Sequence, residues 1–285
     1  MMRALRIRSR ARWAVLVLAG LTGSVVSAQG PPGAGGPPPG AGGPPPSARE
    51  SAQVDLTGYW VALVTEDWLW RMITPPPGDA TSVPLNPEGR RVAGEWSFEA
   101  DQVDGEACRA FGAAGLMRMP LRLHIDWEDD NTLRIDTDAG EQTRLLHFSS
   151  DAAPAGEATW QGFSTARWTH PTPRGFDLRA VFGGAAPAQD GPPRGSLEVE
   201  TRRLRAGYLR KNGLPYSENA RLIEYFSRVS AFDNDYLTVL TIVRDPAYLN
   251  GEFVTSSHFK READDSRWNP SPCRTAPPRV AGAGR

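Results

Sequence analysis

Acid–base chemistry near neutral pH needs positioned titratable groups, and this chain supplies few. Glu224, His124, Tyr216 and Asp245 are the candidate catalytic residues: carboxylate and imidazole accept a proton, and a phenol can return one. Asp245 precedes Pro246, where aspartate also serves as a turn residue by accepting hydrogen bonds from the backbone ahead of it. His124, His147, His170 and His258 show no HxH or HExxH spacing, and Cys108 and Cys273 stand too far apart for a zinc clip. No metal site or cofactor is therefore expected, although clustering of His124, His147 and His258 from different strands would leave no trace in the sequence. A GxSxG elbow, a phosphate-binding loop and a dinucleotide fingerprint after a strand are missing too, which removes several common enzyme classes.

The aromatic residues carry more information. Trp60, Trp68, Trp70, Trp96, Trp127, Trp160 and Trp168 fall in the first part of the folded region. Such residues either fill a core or line a cavity, and the sequence leaves both open. A ligand site here would use Trp160, Trp168, Tyr216 and Phe226 as walls, with Arg167 and Glu224 as polar anchors. A buried Glu224 needs a cation beside it, because an isolated buried charge is very costly; Arg167 and Arg144 are the candidates. Such a pair would serve equally well as a brace.

Short alternating stretches bounded by turn residues must position these groups. Gly58 to Thr65 is aromatic and β-branched, as strands are. Leu121, Leu123, Ile125 and Trp127 alternate with Arg122, His124 and Asp126, a turn follows at Glu128 to Asn131, and Thr132 to Asp136 returns as a hairpin partner. Gln142–Phe148, Thr159–Trp168, Phe176–Phe182, Ser196–Arg202, Tyr236–Arg244 and Phe253–Lys260 read as further strands, which together predict an antiparallel barrel or sandwich. Asn86-Pro87-Glu88 marks a helix start, with an N-cap, proline at the first position and an acid in the first turn; one short helix to about Trp96 is expected. Ser217 to Val229 fits a helix face through Leu222, Ile223, Phe226 and Val229, and a strand face through Leu222, Glu224 and Phe226. Periodicity does not choose between them.

The termini set the context. Arg3, Arg6, Arg8, Arg10 and Arg12 precede an apolar run from Trp13 to Val26 that ends in Val26-Ser27-Ala28, the layout of a signal peptide over residues 1–28. The run is short of the roughly 20 residues a membrane span needs. Removing it takes five arginines and no acid from 32 basic and 33 acidic residues, leaving a net charge of about −6. That balance argues against nucleic acid or an anionic membrane as partner. Residues 29–52 are a Pro/Gly-rich tether without apolar surface to bury, residues 53–275 the folded domain, and 276–285 a disordered tail. Export to the periplasm or the medium makes an even pair of cysteines a disulfide, Cys108 to Cys273.

One resemblance spans roughly residues 55–275. Cys108 with Met119-Pro120; Trp160, Gly162, Ser164 and Trp168; Gly213, Pro215, Ser217 and Glu218; Glu224; Asp245, Pro246 and Tyr248; and Cys273 together resemble a group of uncharacterised exported bacterial proteins. The resemblance implies a lipocalin-like β-barrel and a strand at Ala220–Val229. It implies no activity. Tyr216 stands where other members often carry histidine, which weakens a metal or histidine base at that turn. Gly58-Tyr59-Trp60 also looks like the G-x-W start of small-ligand barrels, where the tryptophan plugs one end. The expected function is an exported binding protein for a small apolar or aromatic molecule. A periplasmic hydrolase, isomerase or lyase and an envelope structural or assembly factor are the alternatives. Oligomeric state is not encoded legibly.

Overall fold

A computed structural model describes residues 45–279, except 104, 105, 150, 151, 153, 155 and 170–194. The expected strand at Phe176–Phe182, His170 and the segment 1–28 lie outside the described residues.

Nine strands close into a barrel. In chain order they are β1 (Gly58–Leu63), β2 (Arg122–Asp129), β3 (Thr132–Thr137), β4 (Thr143–His147), β5 (Phe163–Thr169), β6 (Ser196–Arg202), β9 (Arg221–Ala231), β10 (Asn234–Arg244) and β11 (Phe253–Arg261). Around the wall the order is β1, β11, β10, β9, β6, β5, β4, β3, β2. The omitted pair, β7 (Gly207–Arg210) and β8 (Leu214–Tyr216), forms a separate hairpin outside the wall. Neighbours are antiparallel except β4 and β5, which run parallel with Leu146 opposite Ser164. A parallel pair needs a crossover of a dozen or more residues. Here residues 148–162 make it, and it departs from a lipocalin's all-antiparallel barrel.

Ser217–Val229 resolves as a strand from Arg221. Both flanks are hydrogen-bonded, with Glu224 opposite Thr241 on β10 and Val199 on β6. Leu222, Glu224 and Phe226 are buried while Arg221 is exposed. Two waiting sheet edges decide what local periodicity left open.

Among the described residues three α-helices appear where one was expected. α2 (Pro87–Gly94) starts as predicted, the Gly89 backbone N–H donating to Asn86 Oδ1 at 2.8 Å. It stops before Trp96. α1 (Trp68–Met72) and α3 (Ala113–Leu116) are too short to show a period. With β7 and β8 they roof one end of the barrel over a second apolar cluster that includes Leu204, Leu209, Leu214, Tyr216, Leu222 and Phe253.

Hydrogen bonds also reach residues on either side of 53–275. The Trp168 indole N–H donates to the Ala48 carbonyl at 2.8 Å, and the Ala48 N–H donates to Asn131 Oδ1 at 3.0 Å, so residues 47–51 lie against the β2–β3 turn. At the other terminus the Arg279 N–H donates to the Thr74 carbonyl at 3.1 Å. Cys108 and Cys273 form the disulfide, their Cα atoms 5.1 Å apart. No helix among the described residues is long and apolar enough to cross a membrane.

Candidate functional site

Strand alternation sends Glu224, Phe226, Arg144, Thr201 and Ser164 into the barrel. Arg144, not Arg167, answers the buried glutamate: its Nη2 and Nη1 donate to Glu224 Oε2 and Oε1 at 2.5 and 3.2 Å. Both side chains are fully shielded from water. Arg144 Nη2 also lies 3.3 Å from Thr201 Oγ1, which shares a 2.8 Å hydrogen bond with Ser164. Phe226, Leu197, Val199, Leu237, Val239 and Phe259 are all 0% exposed. A side chain that no water-sized sphere can touch has no empty space beside it, so the interior around Glu224 and Phe226 is filled rather than hollow. The pair braces β4 to β9 through the lumen.

The other sequence candidates scatter. Arg167 points outward and pairs with Glu198 at 2.7 Å. Trp168 lies near Trp127 and Phe148 at the end closed by residues 47–51. His124 stacks on Tyr59 outside the wall, ring centroids 4.3 Å apart. His147 stacks on Phe163, and His258 lies 3.0 Å from Ser256 Oγ. No group of three potential metal ligands stands together among the described residues. Trp60 is fully buried in the main core, its indole N–H on the Leu56 carbonyl at 2.9 Å, as a plug requires.

Tyr216 and Trp160 do come together, across Gly112. A methyl group placed on Gly112 would meet the Tyr216 hydroxyl at 2.1 Å and the Trp160 carbonyl at 3.3 Å. The crossover 148–162 brings Trp160 there, and the Ala113 N–H fastens it by donating to the Trp160 carbonyl at 2.9 Å. Arg205 covers the outer face of the Trp160 ring at 4.3 Å.

Beside Tyr216 lies a cleft of about 280 Å³ between α2, the turn Ala100–Gln102 and the β7–β8 hairpin. Trp96, Tyr208, Pro215 and Tyr248 form its apolar surfaces, with Asp101 and Arg109 at the polar edge. Asp101 accepts from the Trp96 indole at 2.6 Å and from the Tyr208 hydroxyl at 2.8 Å. Arg109 donates to the same hydroxyl at 3.3 Å and pairs with Glu106, which also holds Arg205. Burial pushes the Tyr208 phenol up to about 12; Arg109 works against that rise and Asp101 adds to it. The phenol therefore stays a neutral donor at physiological pH. Burial also raises Tyr216, whose hydroxyl has no hydrogen-bond partner among the described residues.

Backbone geometry makes room for this cleft. Gly213, at φ +76°, lets the hairpin approach so closely that a Cβ would lie 2.1 Å from Trp96 Cγ; glycine alone meets both demands comfortably. Asp245 acts here as scaffold. Its oxygens accept from the Ser217 N–H at 2.6 Å and the Ser217 hydroxyl at 2.8 Å. That ties the end of β8 to the turn carrying Tyr248, on which Asn86 anchors α2.

Sequence reasoning missed Asp101, Arg109 and Tyr208, and did not single out Trp96 among the tryptophans. Their convergence depends on the hairpin folding over α2, which no local spacing announces. No family model, curated protein or solved structure matches the chain.

Proposed function

We propose that this chain is an exported binding protein for a small aromatic or amphiphilic molecule, held in the cleft between α2 and the β7–β8 hairpin rather than in the lumen. The observation that carries this reading is the polar chain from Trp96 through Asp101 and Tyr208 to Arg109, fixed along one edge of an otherwise aromatic cleft. Few convergent polar groups on apolar walls is the pattern of a small-molecule site, and about 280 Å³ suits a single substituted ring. A ring would lie against Trp96 and Tyr248, with its polar substituent toward Asp101 and Arg109. The basic, apolar N-terminus and the Cys108–Cys273 disulfide support an oxidising, exported setting. Ion pairs such as Arg134–Asp136 and Arg202–Glu200 on the outer wall favour water over lipid around the barrel, since a lipid-spanning barrel turns an apolar band outward.

Calorimetric titration of the full chain with indole and with phenol tests the proposal. A saturable change is expected in the parent protein and its loss in Trp96→Phe. Tyr208→Phe is expected to weaken binding about tenfold, the scale of one hydrogen bond to a charged group. Absence of any saturable change, or a change that persists in Trp96→Phe with unaltered affinity, would sink it.

A further inference from the structure

Beside the β7–β8 hairpin, at a pocket other than the aromatic cleft, four cations converge. Arg71 from α1, Arg118 from the turn after α3, and Arg210 and Lys211 from the hairpin line one narrow pocket. Two carboxylates answer them by ion pair: Glu66 holds Arg71, and Asp67 holds Arg118 at 2.8 Å. Asp79, the nearest further acid, is occupied by the Trp70 indole at 2.9 Å. Lys211 donates to the Arg71 carbonyl at 2.7 Å. Among the described residues Arg210 has no ion pair, although the charges of Asp67 and Asp79 reach it. It is 5% exposed, lies 5.3 Å from the Trp70 ring centroid, and its Nε and Nη1 have no hydrogen-bond partner among the described residues. Arg71, 2% exposed, likewise leaves Nη2 unpartnered.

A buried cation without a partner is among the costliest arrangements a fold can hold. Burial depresses Arg71 and Arg210 below the ordinary guanidinium range and lowers Lys211 to about 8. An anion seated among them would relieve that cost. Guanidinium groups pair well with oxyanions, carboxylate and phosphate alike, which accept several N–H bonds at once. The free space takes about one water-sized group, some 10 Å³, so a single carboxylate oxygen enters between the cations while the rest of a small anion stays at the pocket's edge, where a bulkier tetrahedral phosphate is crowded.

We propose that this pocket is a carboxylate-binding site, one oxygen of the anion lying between Arg210 and Arg71 and taking their unpartnered N–H groups, with the rest of the anion at the edge beside Lys211. The site is separate from the aromatic cleft and stands or falls independently of it.

Thermal unfolding of the full chain at pH 7, with sodium acetate replacing sodium chloride at constant ionic strength, tests this directly. Acetate at about 0.2 M is expected to raise the Tm by about 4 °C over chloride. Arg210→Met should lose most of that rise while unfolding no earlier than the parent in chloride, because it removes a buried charge whose Nε and Nη1 make no hydrogen bond to the described residues. If Arg210→Met fails to fold, Arg210→Lys, which keeps the charge but not the planar donors, should show the same loss of the acetate effect. An equal rise in parent and variant, no difference between acetate and chloride, or an equal rise with phosphate would each overturn the assignment.

Discussion

Replacing Glu224 by glutamine is expected to destabilise the barrel by about 3–5 kcal/mol, the cost of leaving a buried cation unpaired. Arg144 enters the lumen from β4 and meets the glutamate through two hydrogen bonds, in surroundings where neither side chain touches water. Glutamine keeps the shape and one acceptor but not the charge, so the guanidinium remains in a dry interior with only Thr201 as a further acceptor. Arg144→Met alone should cost a similar amount by stranding the carboxylate. The double variant Arg144→Met/Glu224→Leu is expected to fall within about 1 kcal/mol of the parent or above it, since well-packed apolar pairs often match buried ion pairs. Urea unfolding of the four proteins at pH 7 checks this, with an unchanged slope showing that stability alone has moved. Additive losses in the double variant would mean the two residues do not act as a pair.

This double-variant result also bears on function. If the pair is only a brace, its removal leaves calorimetric titration with indole or phenol unaltered, because the cleft at Trp96 and Tyr208 is built on other elements. Loss of binding in a fully folded double variant would return the ligand to the lumen.

Much of the wall was legible in the chain. β2 and β3 announce themselves by strict alternation around the Glu128–Asn131 turn, and Ser196–Arg202 emerges with the predicted bounds. α2 declares its start because Asn86, Pro87 and Glu88 each satisfy a local demand of a helix N-terminus. β9 was ambiguous because its pattern fits two periods, and only the edges of β6 and β10 settle it. The roof was opaque for a different reason. α1, α3, β7 and β8 are each held by tertiary contacts rather than by propensity, so their few residues carry no period. The candidate site inherits that opacity: Tyr216 was legible as an aromatic near a turn, whereas Asp101 and Tyr208 meet only after the hairpin crosses to α2. Glu224 was read correctly as a buried acid in need of a cation. Its partner came from β4, the strand that pairs with β5, on which Arg167 faces outward.

Reduction of the Cys108–Cys273 bond is expected to cost about 5 kcal/mol, the entropy of releasing so long a loop in the unfolded chain. The two cysteines are separated by 165 positions, and every strand from β2 to β11 lies between them. Because a domain's whole stability is only about 5–15 kcal/mol, the reduced protein is expected to be marginal, which ties reliable folding to an oxidising compartment. The native side of the balance is local. Ser271 donates to the Asp138 carbonyl at 2.9 Å, Gly140 donates to the Ser271 carbonyl at 2.8 Å, and Cys273 lies against the main core beside Gln142. Without the bond this C-terminal segment keeps those contacts but loses its tether, so faster hydrogen exchange at the Gly140 and Ser271 amides should accompany the global loss. Urea unfolding of oxidised protein, reduced protein and the Cys108→Ser/Cys273→Ser variant gives the test. Reduced and double-serine proteins should agree with each other, and both should show a steeper denaturant slope than the oxidised protein, whose unfolded chain is held more compact. A shift below about 1 kcal/mol with an unchanged slope would place the stabilisation elsewhere and remove the link between this bond and the compartment in which the chain folds.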